Sequence, residues 1–251
     1  MVIFAKSGAG KSVTMKTLIS RSSVLMGIES LALDAEGEYT IVAESLGGIN
    51  VVISPTSKTI INLFDVETET IKDEITGKER VTLNIENKVE DVTQALLTMA
   101  RGSTRSDEVN ELTKQIIAES VAEEYAALGI NSNPESLYKQ SAGVMRGNIL
   151  SREKKDMPTI GSWYRRIQGK ARENTNSDYQ YHYSYLLKVM KQYIREYDGQ
   201  MAYFDGQSTF ELLEGAPFIN LDISQLEERF ARPLAQQILL SWIWEKFVKK
   251  N

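Results

Sequence analysis

A short run near the amino terminus has the residue types and spacing of a phosphate-binding loop. Residues 2–5 are apolar and predict a buried strand, Lys6 to Ser12 read KSGAGKS, and Val13 to Met26 show helical spacing of apolar residues. Strand, glycine-rich loop and helix in this order are the context that a P-loop requires. Gly8 and Gly10 let the backbone curl so that its N–H groups point at phosphate oxygens. The amino terminus of the helix adds partial positive charge at the same place.

The same run supplies the side chains that nucleotide chemistry needs. Lys11 is spaced to reach the β- and γ-phosphates, and Ser12 to place its hydroxyl on Mg²⁺. The usual pattern is G-x-x-x-x-G-K-[ST], and Ala5 stands at its first glycine. The alternative, a chance GKS at a helix start, is disfavoured by the flanking strand and helix. We therefore predict an ATP site with Mg²⁺ as cofactor, Lys11 as a catalytic residue and Ser12 as the metal ligand. The predicted cofactor-binding residues are Lys6, Ser7, Gly8, Ala9, Gly10, Lys11, Ser12 and Val13.

A second predicted strand brings carboxylates to the rim of the same sheet. Ile28 to Leu33 is apolar with β character, and residues 34–39 read DAEGEY. Because ligands bind at the carboxyl ends of strands in open α/β sheets, Glu36 and Glu38 are candidates for orienting water or supporting the metal. Glu38 is the second predicted catalytic residue. The alternative is a solvated acidic turn that caps a helix starting near Tyr39, and the sequence leaves both open.

Further blocks complete a pattern that is specific to one family. Asn50 to Ser54 predicts a third strand, and Thr59 to Phe64 another extended piece. The blocks AKSGAGKS, LALDAEGEY, GGINVVIS and INLFD, over residues 2–65, resemble the C-terminal motor domain of the large VirB/TraE-type ATPases of type IV secretion and conjugation. Those ATPases belong to the HerA–FtsK class of hexameric P-loop motors. The resemblance returns over residues 218–247, while Ala35 and Leu63 stand where the family commonly has proline.

The resemblance implies a fold, an activity and partners. The fold is α/β, a RecA-like P-loop NTPase core with a partial parallel sheet and an inserted, mostly α-helical subdomain. The function is an ATP-binding motor domain that powers DNA or protein transfer and pilus assembly. The parent protein is expected to form a hexamer and to bind other type IV secretion components, with DNA as a candidate substrate. It is expected to lie at the cytoplasmic face of a bacterial inner membrane. An arginine finger from the next subunit is expected, and the sequence does not choose among Arg101, Arg105, Arg229 and Arg232.

The pattern divides the chain into four segments. Residues 1–66 form the first part of the core, 67–84 a hairpin insertion, 85–215 a mostly helical subdomain, and 216–251 a core strand and helix. Helices are predicted at Glu86–Ala100, Ser106–Leu128, Thr159–Arg172, Tyr179–Glu196 and Leu226–Lys249, and the last strand at Phe218–Asp222.

The sequence lacks one motif that is expected of a P-loop ATPase, the acidic pair that follows a buried strand. An Asp that holds Mg²⁺ and an adjacent Glu that orients water should follow an apolar strand, and no such Asp-Glu pair occurs. We expect that strand shortly after Asn251, which makes the chain an interior piece of a larger ATPase and leaves its hydrolysis open. The rival interpretation gives the metal carboxylate role to Asp222.

Composition excludes several other classes. The formal net charge of −5 argues against a general nucleic-acid coat, and the absence of cysteine excludes thiol nucleophiles and zinc-thiolate sites. His182 is the only histidine and is expected to be structural or exposed. The basic, aromatic run Trp163 to Arg166 favours an amphipathic helical turn over a single-strand binding surface. The sequence contains no run of about 20 apolar residues, so it predicts no membrane-spanning helix. Two other functions stay open: a DNA translocase of the HerA or FtsK type, and a nucleotide-binding assembly module without turnover.

Overall fold

The chain forms two compact units. The computed structural model describes residues 6, 10–72, 77–102, 109–140, 144–146, 149–210 and 215–249. Unit 1 consists of Met1–Thr59 and Phe210–Gln236, and unit 2 of Ile60–Thr209 and Gln237–Asn251. The strand predicted at residues 2–5 and the loop residues Ser7, Gly8 and Ala9 lie outside the described residues.

The secondary structure is mixed. The strands are β1 Ser30–Asp34, β2 Ile49–Val52, β3 Glu69–Lys72, β4 Glu79–Thr82, β5 Val144–Arg146, β6 Ile149–Ser151 and β7 Phe218–Asp222. The helices are α1 Lys11–Met26, α2 Thr40–Leu46, α3 Ile85–Arg101, α4 Glu111–Ala127, α5 Ile160–Glu173, α6 Ser177–Val189 and α7 Ala231–Ile243. A π-helical turn, Trp244–Val248, continues α7.

Unit 1 is built on a parallel sheet of three described strands in the order β1-β7-β2. All five residues of the central strand β7 are buried. The register pairs Asp34 of β1 and Val52 of β2 with Asp222 of β7, so the three strands end at the same edge. Loops that follow these strands therefore share one rim, where α/β sheets bind ligands.

Two helices cover one face of this sheet. Val42 and Ala43 of α2 form a buried cluster with Phe218, and Ile19 of α1 packs partly buried against it. Because α2 is short, its stability depends on this packing rather than on helix propensity. No residue of α1 is buried, and the side chains of Val13 and Leu25 are 67% and 77% exposed. The helical spacing predicted the helix, but only its inner face contacts the described part of unit 1.

Unit 2 is mostly helical, and side-chain caps define its helix starts. Asn110 and Thr159 each form a capping box with the third helical residue of α4 and α5. Helix α4 therefore begins at Glu111 rather than at the expected Ser106, which lies outside the described residues. Two antiparallel hairpins, β3–β4 and β5–β6, complete the unit. The piece at Thr59 to Phe64 is irregular rather than a strand, and the Asn62 side chain donates to the Pro158 carbonyl at 2.8 Å.

Two ambiguous sequence features of unit 2 are structural. Trp163 and Tyr164 are buried and Arg165 is exposed, as an amphipathic helical turn requires. His182 is buried, and its Nδ1 lies 2.9 Å from the Thr113 hydroxyl. A buried imidazole with a neutral hydroxyl partner is part of the core packing.

Candidate functional site

The amino terminus of α1 has the local geometry of an anion site. Its N-cap is Gly10 in the left-handed conformation, φ 79° and ψ 17°, and no side chain caps it. The first turn carries no acidic residue, and the Thr14 amide donates to the Gly10 carbonyl at 2.9 Å. The amides that precede Thr14 in the helix are those that normally lack a partner at a helix start. Such amides can donate to an anion, and those of Lys11, Ser12 and Val13 have no partner among the described residues.

Side chains at this helix start suit a phosphate and a cation. Lys11 is exposed, Ser12 beside it is partly buried, and Lys6 is exposed. Among the described residues, no three His, Cys, Asp or Glu side chains converge into a metal site of their own. A Mg²⁺ that accompanies a nucleotide does not need one, since phosphate oxygens and water supply most of its ligands. The hydroxyl of Ser12 fits that limited requirement.

Asp34 organises the rim loop of residues 34–39. Its Oδ1 accepts from the amides of Glu36 at 3.2 Å and Gly37 at 2.9 Å, and its Oδ2 accepts from the Tyr39 amide at 2.9 Å. The side chain is buried, so these bonds satisfy a carboxylate that water cannot reach. Asp34 thus shapes the turn before α2. The sequence offered an acidic turn here as one alternative but did not single out Asp34 as the residue that holds it.

This turn carries Glu38 to α1. The Glu38 carboxylate lies 3.7 Å from the Lys16 ammonium, which also sits 5.7 Å from the centre of the Tyr39 ring. Burial raises the pKa of the Tyr39 hydroxyl, and the nearby Asp34 and Glu38 carboxylates raise it further. Lys16 follows Lys11 by five residues on the same helix, so this ion pair places Glu38 beside the helix that starts at the candidate anion site. Glu36 points to solvent, with 76% of its side chain exposed.

Asp222, the rival metal carboxylate, is engaged by its own loop. It is buried, and its Oδ1 accepts from the Ser224 amide at 2.8 Å. The loop after β7 also packs directly on the 34–39 turn. A Cβ built on Gly37 would lie 2.9 Å from the Ser224 hydroxyl oxygen and 3.9 Å from Asp222 Oδ2. Asp222 therefore lies between two rim loops and belongs to their packing.

Of the four arginines named as candidate fingers, the three within the described residues occupy different surroundings. The Arg232 guanidinium donates to the carbonyls of Ser224 at 2.8 Å and Leu226 at 3.4 Å and lies 3.9 Å from the Glu36 carboxylate. It is committed to its own chain. Arg229 is exposed on the same loop of unit 1, and Arg101 is exposed at the end of α3 in unit 2. Arg105 lies outside the described residues.

Comparison with known proteins identifies the family. The family model described as "Helicase HerA, central domain" matches residues 1–200. The chain belongs to this HerA helicase central-domain family. A solved structure, that of VirB4 from Thermoanaerobacter pseudethanolicus, is similar at a TM-score of 0.66 and 23% sequence identity. The similarity covers 96% of this chain and 55% of the VirB4 chain, so the chain spans about half the length of that protein. A sequence search of curated proteins found no match.

These findings confirm the family and the fold class. A HerA-type domain places the chain in the HerA–FtsK class of ATPases, and the likeness to VirB4 shows the RecA-like P-loop α/β fold. Nucleotide binding, usually with Mg²⁺, is what membership of such an ATPase family implies. Within the described ranges, no helix is both long and apolar enough to cross a bilayer.

Proposed function

We propose that the chain is an ATP-binding motor domain of a conjugative or type IV secretion ATPase that powers the transfer of DNA or protein substrates and pilus assembly. One observation carries the nucleotide part of this proposal. Helix α1 starts in a left-handed glycine without a side-chain cap, and its first two residues are Lys11 and Ser12. That is how a helix start is presented to phosphate. The likeness to VirB4 supports the secretion part.

Each residue of the helix start has a separate role in this proposal. Lys11 neutralises the β- and γ-phosphates, and the backbone amides after Gly10 hold their oxygens. Ser12 would hold Mg²⁺, which when bound supplies charge neutralisation between the phosphates. Glu38 is the candidate for orienting water, and its pairing with Lys16 keeps it beside α1. A hexamer with an arginine finger in trans is part of the same proposal.

A second candidate function is a nucleotide-binding assembly module without turnover. The observation that favours it is the state of the rim carboxylates. Asp34 and Asp222 both accept from backbone amides of their own loops, and Glu38 pairs with Lys16. Each of these three carboxylates therefore already has a partner within the described residues. A translocase that grips duplex DNA has no such specific support.

Nucleotide affinity tests the proposal directly. Titration of the chain with a fluorescent ATP analogue and Mg²⁺, followed by anisotropy, should give saturable binding. Lys11→Ala should weaken it by about 10- to 100-fold, the effect of losing a charge-assisted hydrogen bond worth about 1.5–3 kcal/mol. Arg21→Ala removes an exposed cation from the same helix and is the matched control, with affinity within about twofold of wild type. Equal binding by Lys11→Ala and wild type would refute the site.

Steady-state ATP hydrolysis separates the two candidate functions. Turnover by the folded chain that is abolished by Lys11→Ala and reduced in Glu38→Gln would establish a working carboxylate within it. Binding without turnover would favour the assembly module or a need for carboxylates from elsewhere. Circular dichroism of each variant should accompany both measurements.

A further inference from the structure

A buried amide links all three strands of the unit 1 sheet. Asn220 is in the middle of β7 and is fully buried. Its Nδ2 donates to Asn50 Oδ1 on β2 at 2.8 Å and to Asp34 Oδ2 on β1 at 3.4 Å. A polar side chain on the central strand of a sheet is costly unless its hydrogen bonds are made. The Asn220 amide donates hydrogen bonds to a residue on each of the two neighbouring strands.

The orientation of the amide is fixed by its neighbours. Both contacts are oxygen acceptors, so a flipped amide would put Asn220 Oδ1 against a carboxylate and a second carbonyl oxygen. As oriented, Asn220 Oδ1 is buried and has no donor among the described residues. The side chain thus leaves its own acceptor unpaired, a loss of about 1–3 kcal/mol, while it donates to Asp34 and Asn50. A purely apolar residue would avoid that loss, so packing alone does not explain the asparagine.

The consequence of the Asp34 contact extends to the site. The same Asp34 Oδ2 that accepts from Asn220 also accepts from the Tyr39 amide, and Oδ1 holds the amides of Glu36 and Gly37. Those amides flank Glu38, whose carboxylate meets Lys16 on α1. The order of contacts is therefore Asn220, Asp34, the 34–39 turn, Glu38 and then the helix that begins at Lys11. Removal of the first contact leaves the Asp34 carboxylate with the amides of the turn but without its donor from the central strand.

We propose that Asn220 is a positioning residue for the nucleotide site, which acts by orienting the Asp34 carboxylate so that the 34–39 turn holds Glu38 against α1. This inference rests on the proposed function, since it concerns the same site. Asn220 contacts no reacting group itself. Its role is to keep the rim loop in the conformation that meets a bound nucleotide.

Asn220→Asp gives a test that a merely structural role would not pass. Aspartate has the size of asparagine, but when ionised it faces Asp34 without a donor, and Asp222 lies two residues further on the same strand. Two carboxylates in contact share a proton, so one of the two apparent pKa values of the variant's pair is raised. The protonated side chain restores an O–H donor toward Asp34. The affinity of Asn220→Asp for the ATP analogue, relative to wild type at each pH, should be near wild type at pH 5.5 and at least about 10-fold weaker at pH 8.

Two further variants keep the test interpretable. Asn50→Asp is the matched control, because Asn50 serves as an acceptor and aspartate retains that oxygen; its relative affinity should stay flat with pH. Asn220→Ala removes the donor without adding charge and should weaken binding about 3- to 10-fold at every pH. In the same variant, hydrogen exchange of the Glu36, Gly37 and Tyr39 amides should accelerate while that of β2 amides stays within about twofold of wild type.

The outcomes separate this inference from the proposed function. A wild-type chain that fails to bind nucleotide refutes the function, and the exchange of the 34–39 amides then still decides whether Asn220 holds the turn. The positioning role is overturned if the wild-type chain binds nucleotide and both Asn220→Ala and Asn220→Asp bind it with wild-type affinity at pH 5.5 and at pH 8. A uniform acceleration of exchange across the sheet in Asn220→Ala overturns it too, since that is loss of stability alone.

Discussion

At the scale of single residues, Gly37 shows how closely the two rim loops meet. Its φ is +72°, a left-handed conformation that other residues adopt at a cost. A Cβ there would also approach the Ser224 hydroxyl oxygen to 2.9 Å, and Ser224 is held in place by the bond from its amide to Asp222. Glycine is therefore favoured at position 37 for two reasons: the backbone is left-handed, and the neighbouring loop leaves no room for a Cβ.

Gly37→Ala should destabilise unit 1 more than Gly47→Ala does. The left-handed backbone alone costs about 1 kcal/mol, and displacement of Ser224 should add about 1–2 kcal/mol. Gly47→Ala is the matched control, since its φ is +67° but no atom lies within 4 Å of the added Cβ. Urea unfolding monitored by circular dichroism gives the two free energies.

A double variant isolates the contact itself. In the Ser224→Ala background the 2.9 Å contact with the hydroxyl is gone and only the Cβ contact at 3.3 Å remains, so the cost of Gly37→Ala should fall toward that of Gly47→Ala. An equal cost for both glycines in the wild-type background would show that the loops do not press on each other.

At the scale of elements, a buried ion-pair cluster joins the loop before β3 to the π-helical turn. The Glu67 side chain is 6% exposed, pairs with Lys246 at 2.8 Å and also contacts Lys154. Burial raises the pKa of Glu67, but the two lysines outweigh it and hold the pKa below its ordinary value of 4.5. The Glu67 amide donates to Glu245 at 2.9 Å, so the turn is bound to this loop by backbone and side chain.

Glu67→Gln should destabilise the chain by about 3 kcal/mol, because it removes the carboxylate that two ammonium groups share, although Lys246 keeps Asp65 at 3.5 Å. Lys154 remains 38% exposed, which keeps the loss at the low end for a buried pair. Since the folded pKa is depressed, the stabilisation from Glu67 is present above pH 4.5 and is lost as pH falls below it. Chemical unfolding at pH 7 and pH 3.5 should show that the difference between variant and wild type shrinks at the lower pH.

Glu196→Gln is the control for that measurement. Glu196 pairs with Arg165 at 3.1 Å, but both side chains are 59% exposed, and such pairs contribute about 0–1 kcal/mol. An equal loss in both variants would contradict the assignment of Glu67 to a buried network.

The elements also show where sequence patterns suffice. The strands β1, β2 and β7 and the helices α1, α3 and α5 follow from apolar runs and caps that are local in the chain. Helix α7 was predicted from Leu226 but starts at Ala231, because the Glu227 carboxylate accepts from the amides of Arg229, Phe230 and Ala231. That competition between a side chain and the helix has no periodic signal.

The candidate site divides in the same way. Lys11 and Ser12 were predicted from spacing, because the phosphate contacts proposed for them depend on neighbours in sequence. Asn220 and Asp34 were not, because their contact joins positions 186 residues apart. An asparagine in an apolar strand does signal a polar contact, yet only the parallel register of β1 and β7 reveals its partner.

At the scale of the whole molecule, the division into two units predicts a local response to nucleotide. The proposed site lies in unit 1, whereas helices α3 to α6 belong to unit 2. A ligand at 100 times its Kd stabilises the state that binds it by about 2.7 kcal/mol. Hydrogen exchange that requires opening of unit 1 should therefore slow by about 100-fold.

Exchange measured with and without ATP and Mg²⁺ tests this response. Amides of β1, β2, β7 and α2 should be protected, while those of α4, α5 and α6 should exchange at unchanged rates. Lys11→Ala should abolish the protection, and Arg21→Ala should retain it. Protection of equal size in α4 to α6 would contradict the prediction, because it would mean that both units open together and that nucleotide is sensed by the entire chain.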